Sequence, residues 1–220
     1  MQLLSAPRPA KAGRPPRGSR KVAKPHFLEK TLGPGLMALA FSVSASAAPQ
    51  RFALDPDNTH VHWELKHFGT STLRGRFDAI SGNITLDREA HTGSASISID
   101  TASLSTGTRI FDGVVRGPQL LATSEHPSAY FVASRFAFEG DRLVSVAGEF
   151  TLRGNSRPLT LKAMRFACRT DTGTESTTAR EVCGGDFEAE FNRSDFGITH
   201  SLPFVGDAVR LVVQIEGLRQ

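Results

Sequence analysis

The residues best placed to do chemistry are histidines. His60, His62 and Glu64 stand two apart, so on an extended strand they share one side, and His67 follows closely. Two imidazoles and a carboxylate form a zinc-type donor set. The neighbours argue against that use. Val61, Trp63 and Leu65 alternate with these residues, which turns the histidine face toward solvent. No H-E-x-x-H pair, G-x-S-x-G elbow, P-loop or G-x-G-x-x-G fingerprint occurs in the chain. The expectation is no catalytic residue, no metal site, and histidines that are exposed or structural. A His-based metal-dependent enzyme is the least favoured function.

Cys168 and Cys183 are the only cysteines. Fourteen residues separate them, with no histidine or further cysteine nearby, which makes a poor zinc site. Whether they pair depends on the compartment, and the charge distribution speaks to that. The formal net charge is +4 and the sequence pI is about 9.4. Residues 1–30 hold eight Lys and Arg against Glu29 alone, and no charged residue occurs from Thr31 to Gln50. The apolar run Leu36–Val43 follows, and then Ala45-Ser46-Ala47. A basic stretch, a short apolar stretch and small residues before a cleavage point form the pattern of a secretory signal peptide. We read 1–47 as a basic leader plus signal peptide and 48–220 as the working domain. The basic stretch is long for a leader, which suggests a start downstream, at Val22 or Leu28 read from a non-AUG codon. The apolar run is far shorter than the ~20 residues of a spanning helix, so no stable membrane anchor is expected after cleavage. Export makes the location periplasmic or secreted, and the cysteine pair a disulfide, with two separate buried thiols as the alternative. Closing a loop of that size contributes about 3 kcal/mol. Past residue 30 acidic residues outnumber basic ones, so nucleic-acid binding has no support.

Beyond the leader, apolar residues recur with a period of two. Ile80, Gly82, Ile84 and Leu86 form one such set, and Ala95, Ile97 and Ile99 another. Val132, Phe136 and Phe138 share a face with Tyr130 and Ser134, and Val144, Val146, Gly148, Phe150 and Leu152 share the next. Phe187, Ala189 and Phe191, then Val209, Leu211, Val213 and Ile215, complete the series. The stretch 158–168 is strand-like with ambiguous facing. Alternation fails only around Thr108–Thr123, where Ile110, Val114, Val115, Leu120 and Leu121 suggest short helical turns. The fold class is therefore all-β, about eight antiparallel strands in a sandwich or a closed barrel, with a short helical segment. A single Trp and a single Tyr provide no aromatic girdle for an outer-membrane barrel.

Thirteen of the 15 Phe follow residue 47. Phe supplies apolar area without a polar handle, so an interior lined with it suits an acyl or isoprenoid chain. The same residues could instead fill a solid core, and pattern alone leaves both readings open. Trp63, Phe77, Ile84, Phe136, Phe150, Phe187, Phe191 and Val213 are the residues expected to line a cavity.

Three motifs carry a resemblance. Leu54-Asp55-Pro56-Asp57-Asn58-Thr59-His60 precedes the Val61–His67 strand and Gly75-Arg76-Phe77. Gly148-Glu149-Phe150-Thr151-Leu152-Arg153-Gly154 leads to Arg157-Pro158. Asn192-Arg193-Ser194-Asp195-Phe196-Gly197-Ile198 leads to Val205-Gly206-Asp207. In this order and spacing they resemble the YceI-like family of lipocalin-like, polyisoprenoid-binding barrel proteins, from about Phe52 to Glu216. The resemblance implies an extended antiparallel lipocalin-like barrel with an elongated apolar cavity. It implies binding of a long isoprenoid or similar lipid for transport, storage or stress response. It implies no catalysis, and no cofactor beyond a bound isoprenoid-type lipid. A non-catalytic structural or interaction domain with a filled core is the alternative, and a homodimer stays open. One departure stands out: Val114 and Val115 occupy the places where the family often has His and Leu. By its own chemistry, the Asp195-Phe196-Gly197 segment suits a tight turn with positive φ at Gly197. Arg193 is expected to pair with Asp195, with a ligand head-group contact as its minority role.

Overall fold

The computed structural model describes residues 48–172 and 179–220. They fall within one compact unit, Ser44–Gln220. The leader and signal-peptide reading lies outside the described residues, as do residues 173–178 of the Thr-rich loop.

Eleven strands follow in order: β1 (Gln50–Leu54), β2 (His60–His67), β3 (Ser71–Phe77), β4 (Ile80–Asp87), β5 (Thr92–Asp100), β6 (Leu104–Ser105), β7 (Ser128–Glu139), β8 (Arg142–Leu152), β9 (Asn155–Asp171), β10 (Arg180–Asn192) and β11 (Val205–Arg219). One helix, α1 (Arg109–Arg116), interrupts them. Every pairing is antiparallel, and the ring β1-β4-β5-β7-β8-β9-β10-β11 closes on itself through β1 and β11. Closure leaves no free edge in that ring.

β11 is long enough to serve two partners. Val205–Gln214 pairs with β2, and Gly217–Arg219 pairs with β1. The break between β1 and β2 is the first sequence motif. Asp55 accepts from the Asp57 amide and the Asn58 side chain, which turns the chain. Fully buried Thr59 then bonds both the amide and the carbonyl of Glu216 through its hydroxyl. A side chain thus replaces the backbone pairing that the corner removes.

Beyond that corner the sheet continues as β11-β2-β3-β6, and α1 packs beside β6. Asp112 holds the helix by accepting from the amide and hydroxyl of Thr106, at 2.6 and 2.7 Å. Arg116 donates to the Leu104 carbonyl, and Arg153 on the β8–β9 turn donates to the Pro118 carbonyl. This is the α1 end of the barrel. At the opposite end the Cys168–Cys183 disulfide joins directly paired residues of β9 and β10, with Cα atoms 4.0 Å apart.

Three bulges correct the facing read from alternation. On β7 the register shifts between Ala133 and Arg135. Phe136 and Phe138 face inward as expected, but Tyr130 and Val132 are exposed, and Ala129, Phe131 and Ala133 are buried instead. The second shift, opposite Val144, buries Leu143 in its place. The third, between Ala163 and Arg165 of β9, resolves the ambiguous stretch. Leu159, Leu161 and Ala163 are buried before it, and Phe166 packs on the core after it. One extra residue flips the parity of everything beyond it.

Candidate functional site

The inward faces leave an apolar channel in three segments. At the α1 end a cavity of about 130 Å³ is bounded by Trp63, Leu73, Phe77, Phe111, Val115, Leu121, Phe150 and Phe191, among others. A middle segment of about 30 Å³ lies between Val61, Ile97, Phe131, Phe150 and Val213. A third, of about 40 Å³, lies toward the disulfide between Phe52, Ile84, Phe136, Phe166 and Phe187. Phe150 and Leu211 line both the first and the second, and Phe131 and Leu161 both the second and the third. The segments therefore run end to end with shared walls. The accessible wall of the largest is wholly apolar.

All eight cavity residues expected from the sequence line one segment or another. Trp63, Phe77, Phe150 and Phe191 belong to the α1 end, Phe150 again and Val213 to the middle, and Ile84, Phe136 and Phe187 to the disulfide end. Several interior residues are not legible in the alternation. Phe131 was hidden by the bulge. Leu104 sits at a junction with no periodicity. Phe196 lies inside the third motif, in the turn after β10, and belongs to the core behind the cavity wall. Its ring is almost fully buried, and its centroid lies 5.4 Å from that of Phe150 and 5.1 Å from that of Phe191. The three rings form one aromatic cluster beneath the α1-end cavity.

Arg193 does not pair with Asp195. Its guanidinium is buried and donates to four backbone carbonyls, those of Gly206, Ile198, His200 and Val205, at 2.8–2.9 Å. Desolvation lowers its affinity for the proton, and the Asp207 charge opposes this. Asp207 accepts from the Ser194 amide and hydroxyl, while Asp195 is exposed. The motif is a loop clamp: one cation ties the strand end of β10 to the segment leading into β11. Gly197 takes the expected left-handed conformation, with φ +75°.

The histidine face is occupied by other chemistry. Glu64 accepts from Arg74 at 2.9 Å and from Arg210 at 2.6 Å, and Arg210 also reaches Glu188 at 2.5 Å. These contacts, led by the bond from Arg210, hold the Glu64 carboxyl below its ordinary range. Desolvation, helped by Arg76 and His60, pushes His62 below its ordinary value. The His60 and His62 rings lie 6.2 Å apart, edge on, and do not converge with Glu64. The one cluster of potential ligands among the described residues is Cys168, Glu181 and Cys183, and both sulfurs are bonded to each other. No helix among the described residues is long and apolar enough to cross a membrane.

The model of the YceI-like domain matches residues 52–217. The chain belongs to the YceI-like family. A UPF0312 protein of Pseudomonas aeruginosa is 28% identical over 197 residues, covering 88% of this YceI-like chain and 100% of the relative. Protein YceI of Salmonella arizonae is 28% identical over 192 residues, covering 86% and 97%. Among solved structures, BcnA of Burkholderia cenocepacia superimposes with a TM-score of 0.61 at 22% identity, covering 74% of this chain and 98% of that one. A polyisoprenoid binding domain from Saccharophagus degradans, implicated in plant cell wall breakdown, gives 0.56 at 17% identity, covering 77% and 98%. At these identities the structures establish the shared fold of YceI-like barrels.

Proposed function

We propose that the chain is an exported, non-catalytic lipid carrier that holds a long isoprenoid or similar apolar chain along the barrel axis. The observation that carries this reading is the end-to-end order of three apolar segments, two within the closed ring and one between it, the β2-β3-β6 extension and α1. A stack of pockets sharing walls suits an elongated ligand, and walls that are almost wholly apolar suit one with nothing to hydrogen-bond. Each CH₂ taken from water contributes about 0.8 kcal/mol before the costs of association. The eight cavity residues named from the sequence are the proposed contacts. The polyisoprenoid binding named for the Saccharophagus degradans domain agrees with this ligand class. The disulfide suits an oxidising compartment outside the cytoplasm.

The small size of the inner two segments, about 30 and 40 Å³, favours a second reading in which that half of the barrel is a filled core. Under the carrier reading a long chain enters them by turning the Phe131, Phe136 and Phe150 rings aside. Organic extraction of protein purified from its native host, with mass spectrometry of the extract, separates the two. An isoprenoid in stoichiometric amount supports the carrier. An empty extract, with no displacement of a hydrophobic probe by added isoprenoid, leaves the filled core.

A further inference from the structure

The two ends of the barrel differ in what they expose. Around the disulfide end the turns carry polar pairs: Arg88 with Glu181 and Arg142 with Glu139 as ion pairs, and His91 in contact with Asp141. Around the α1 end they carry bare hydrocarbon. Phe68 is 59% exposed, Phe204 62%, Ile110 83% and Val114 54%. Phe68 and Phe204 stack with centroids 5.8 Å apart, and the Phe68 amide bonds the Phe204 carbonyl. Phe68 also has φ +50°, a left-handed conformation that is an outlier for a bulky side chain. The β2–β3 turn thus presents an exposed aromatic ring from a left-handed residue at its tip. On α1, Ile110 and Val114 share the outward face, one turn apart.

Both clusters rim the same opening. Val205, next to Phe204, and Phe111, next to Ile110, line the α1-end cavity. Each cluster is also flanked by an exposed cation, Lys66 beside the first and Arg109 beside the second, and neither has a carboxylate within ion-pair distance among the described residues. The same end also exposes Asp195 and Glu125, near the β8–β9 turn whose Arg153 reaches Pro118 and Gly197, so the positive charge is local to the two apolar clusters. Apolar tips with unpaired cations beside them match an anionic lipid surface, with side chains in the acyl boundary and cations at the headgroups.

We propose that the α1 end docks on an anionic bilayer, with Phe68, Phe204, Ile110 and Val114 inserted and Lys66 and Arg109 at the headgroups. This rests on the carrier reading, in which the opening faces the membrane from which an apolar chain is drawn. Exposed apolar tips with an unpaired cation beside each match the boundary between acyl chains and anionic headgroups, which is why lipid is the occupant proposed.

The test is a Phe204→Trp variant of the full chain, with Tyr130→Trp on the outer barrel wall as its control. Each is added to isoprenoid-free vesicles of phosphatidylcholine and phosphatidylglycerol bearing spin-labelled lipid. Docking gives a blue shift and quenching for Phe204→Trp well beyond the control. Adding Lys66→Ala and Arg109→Ala raises the lipid concentration at half-quenching by tenfold or more, as about 1 kcal/mol per cation requires. Equal quenching in the two Trp variants overturns the proposal. So does self-association of the wild type that Phe68→Ser with Phe204→Ser abolishes, which would make the surface a dimer contact. Isoprenoid in the native extract without quenching removes the docking and keeps the carrier. Quenching with an empty extract keeps the docking surface and removes the carrier.

Discussion

Trp63 on β2 lies flat against Gly75, its paired residue on β3. A Cβ added at Gly75 would sit 2.4 Å from Cζ2 of the indole, closer than any real contact. The glycine of the second part of the opening motif is therefore the floor on which the indole rests, and the indole is a wall of the α1-end cavity.

Gly75→Ala is expected to push the ring into that cavity. Overpacking of this kind costs about 1–3 kcal/mol. Trp63 is the only tryptophan in the chain, so its emission reports the displacement directly. The expected result is a shifted emission maximum, a lower Tm and weaker binding of an isoprenoid. Unchanged emission would mean that the strands separate instead and the ring stays in place.

Phe150 stands where the α1-end and middle segments meet and lines both. Phe150→Ala joins them. In the lipid-free protein the loss is about 3–5 kcal/mol, since Phe150 is buried and packed on Phe191 and Phe196. A bound isoprenoid fills the space the ring leaves, so the difference between variant and wild type narrows when lipid is saturating. Chemical denaturation of both proteins, with and without lipid, measures this. An equal difference in both conditions would show that the ligand does not reach Phe150.

Much of this interior was legible in the sequence, and what was not has a common cause. Alternation placed Trp63, Ile84, Phe187 and Val213 correctly because β2, β4, β11 and the inward half of β10 keep one register over the stretch that matters. It misplaced Tyr130 and Val132 because parity was carried backward from Phe136 and Phe138 across a bulge. A bulge needs no special residue type, so nothing in Ala133-Ser134-Arg135 announces it. The roles of polar residues were harder to read, because they depend on partners distant in sequence. Arg193 beside Asp195 looks like an ion pair, yet its partners are carbonyls up to 13 residues away, and it is Asp207 that caps Ser194. Thr59 gave no signal at all, since its role is to mimic backbone for Glu216, 157 residues on.

Glu64 makes acid stability dependent on an outer-wall network. Its carboxyl is held below the ordinary value of 4.5, first by the bond from Arg210. A carboxyl depressed in the folded state adds stability that is complete above its unfolded value and is lost as pH falls through the folded one. The window therefore opens near the ordinary value and extends below it. Because Arg210 and Arg74 are substantially exposed, solvent screening limits the contribution to about 1 kcal/mol. Glu64→Gln is expected to lower Tm slightly at neutral pH and to flatten its decline in acid. Added salt should shrink the difference at neutral pH. Identical acid limbs for wild type and variant would place the pH dependence on other carboxyls.

Arg193 separates a structural cation from a ligand contact. Four carbonyls depend on its guanidinium, and losing a buried partner costs about 1–3 kcal/mol for each group left unsatisfied. Even with partial rehydration, Arg193→Met should cost 3 kcal/mol or more, a Tm loss of roughly 6–12 °C for a domain of this size. Arg193→Lys should recover little, because a single ammonium cannot span carbonyls from four residues at once. Asp195→Ala should fall within about 0.5 kcal/mol of wild type, since Asp195 is exposed and holds nothing. Thermal melts and lipid titrations of the three variants read both quantities. If Arg193→Lys kept its Tm but lost affinity for an anionic lipid, the guanidinium would be a head-group ligand, not the clamp that its four carbonyl bonds describe.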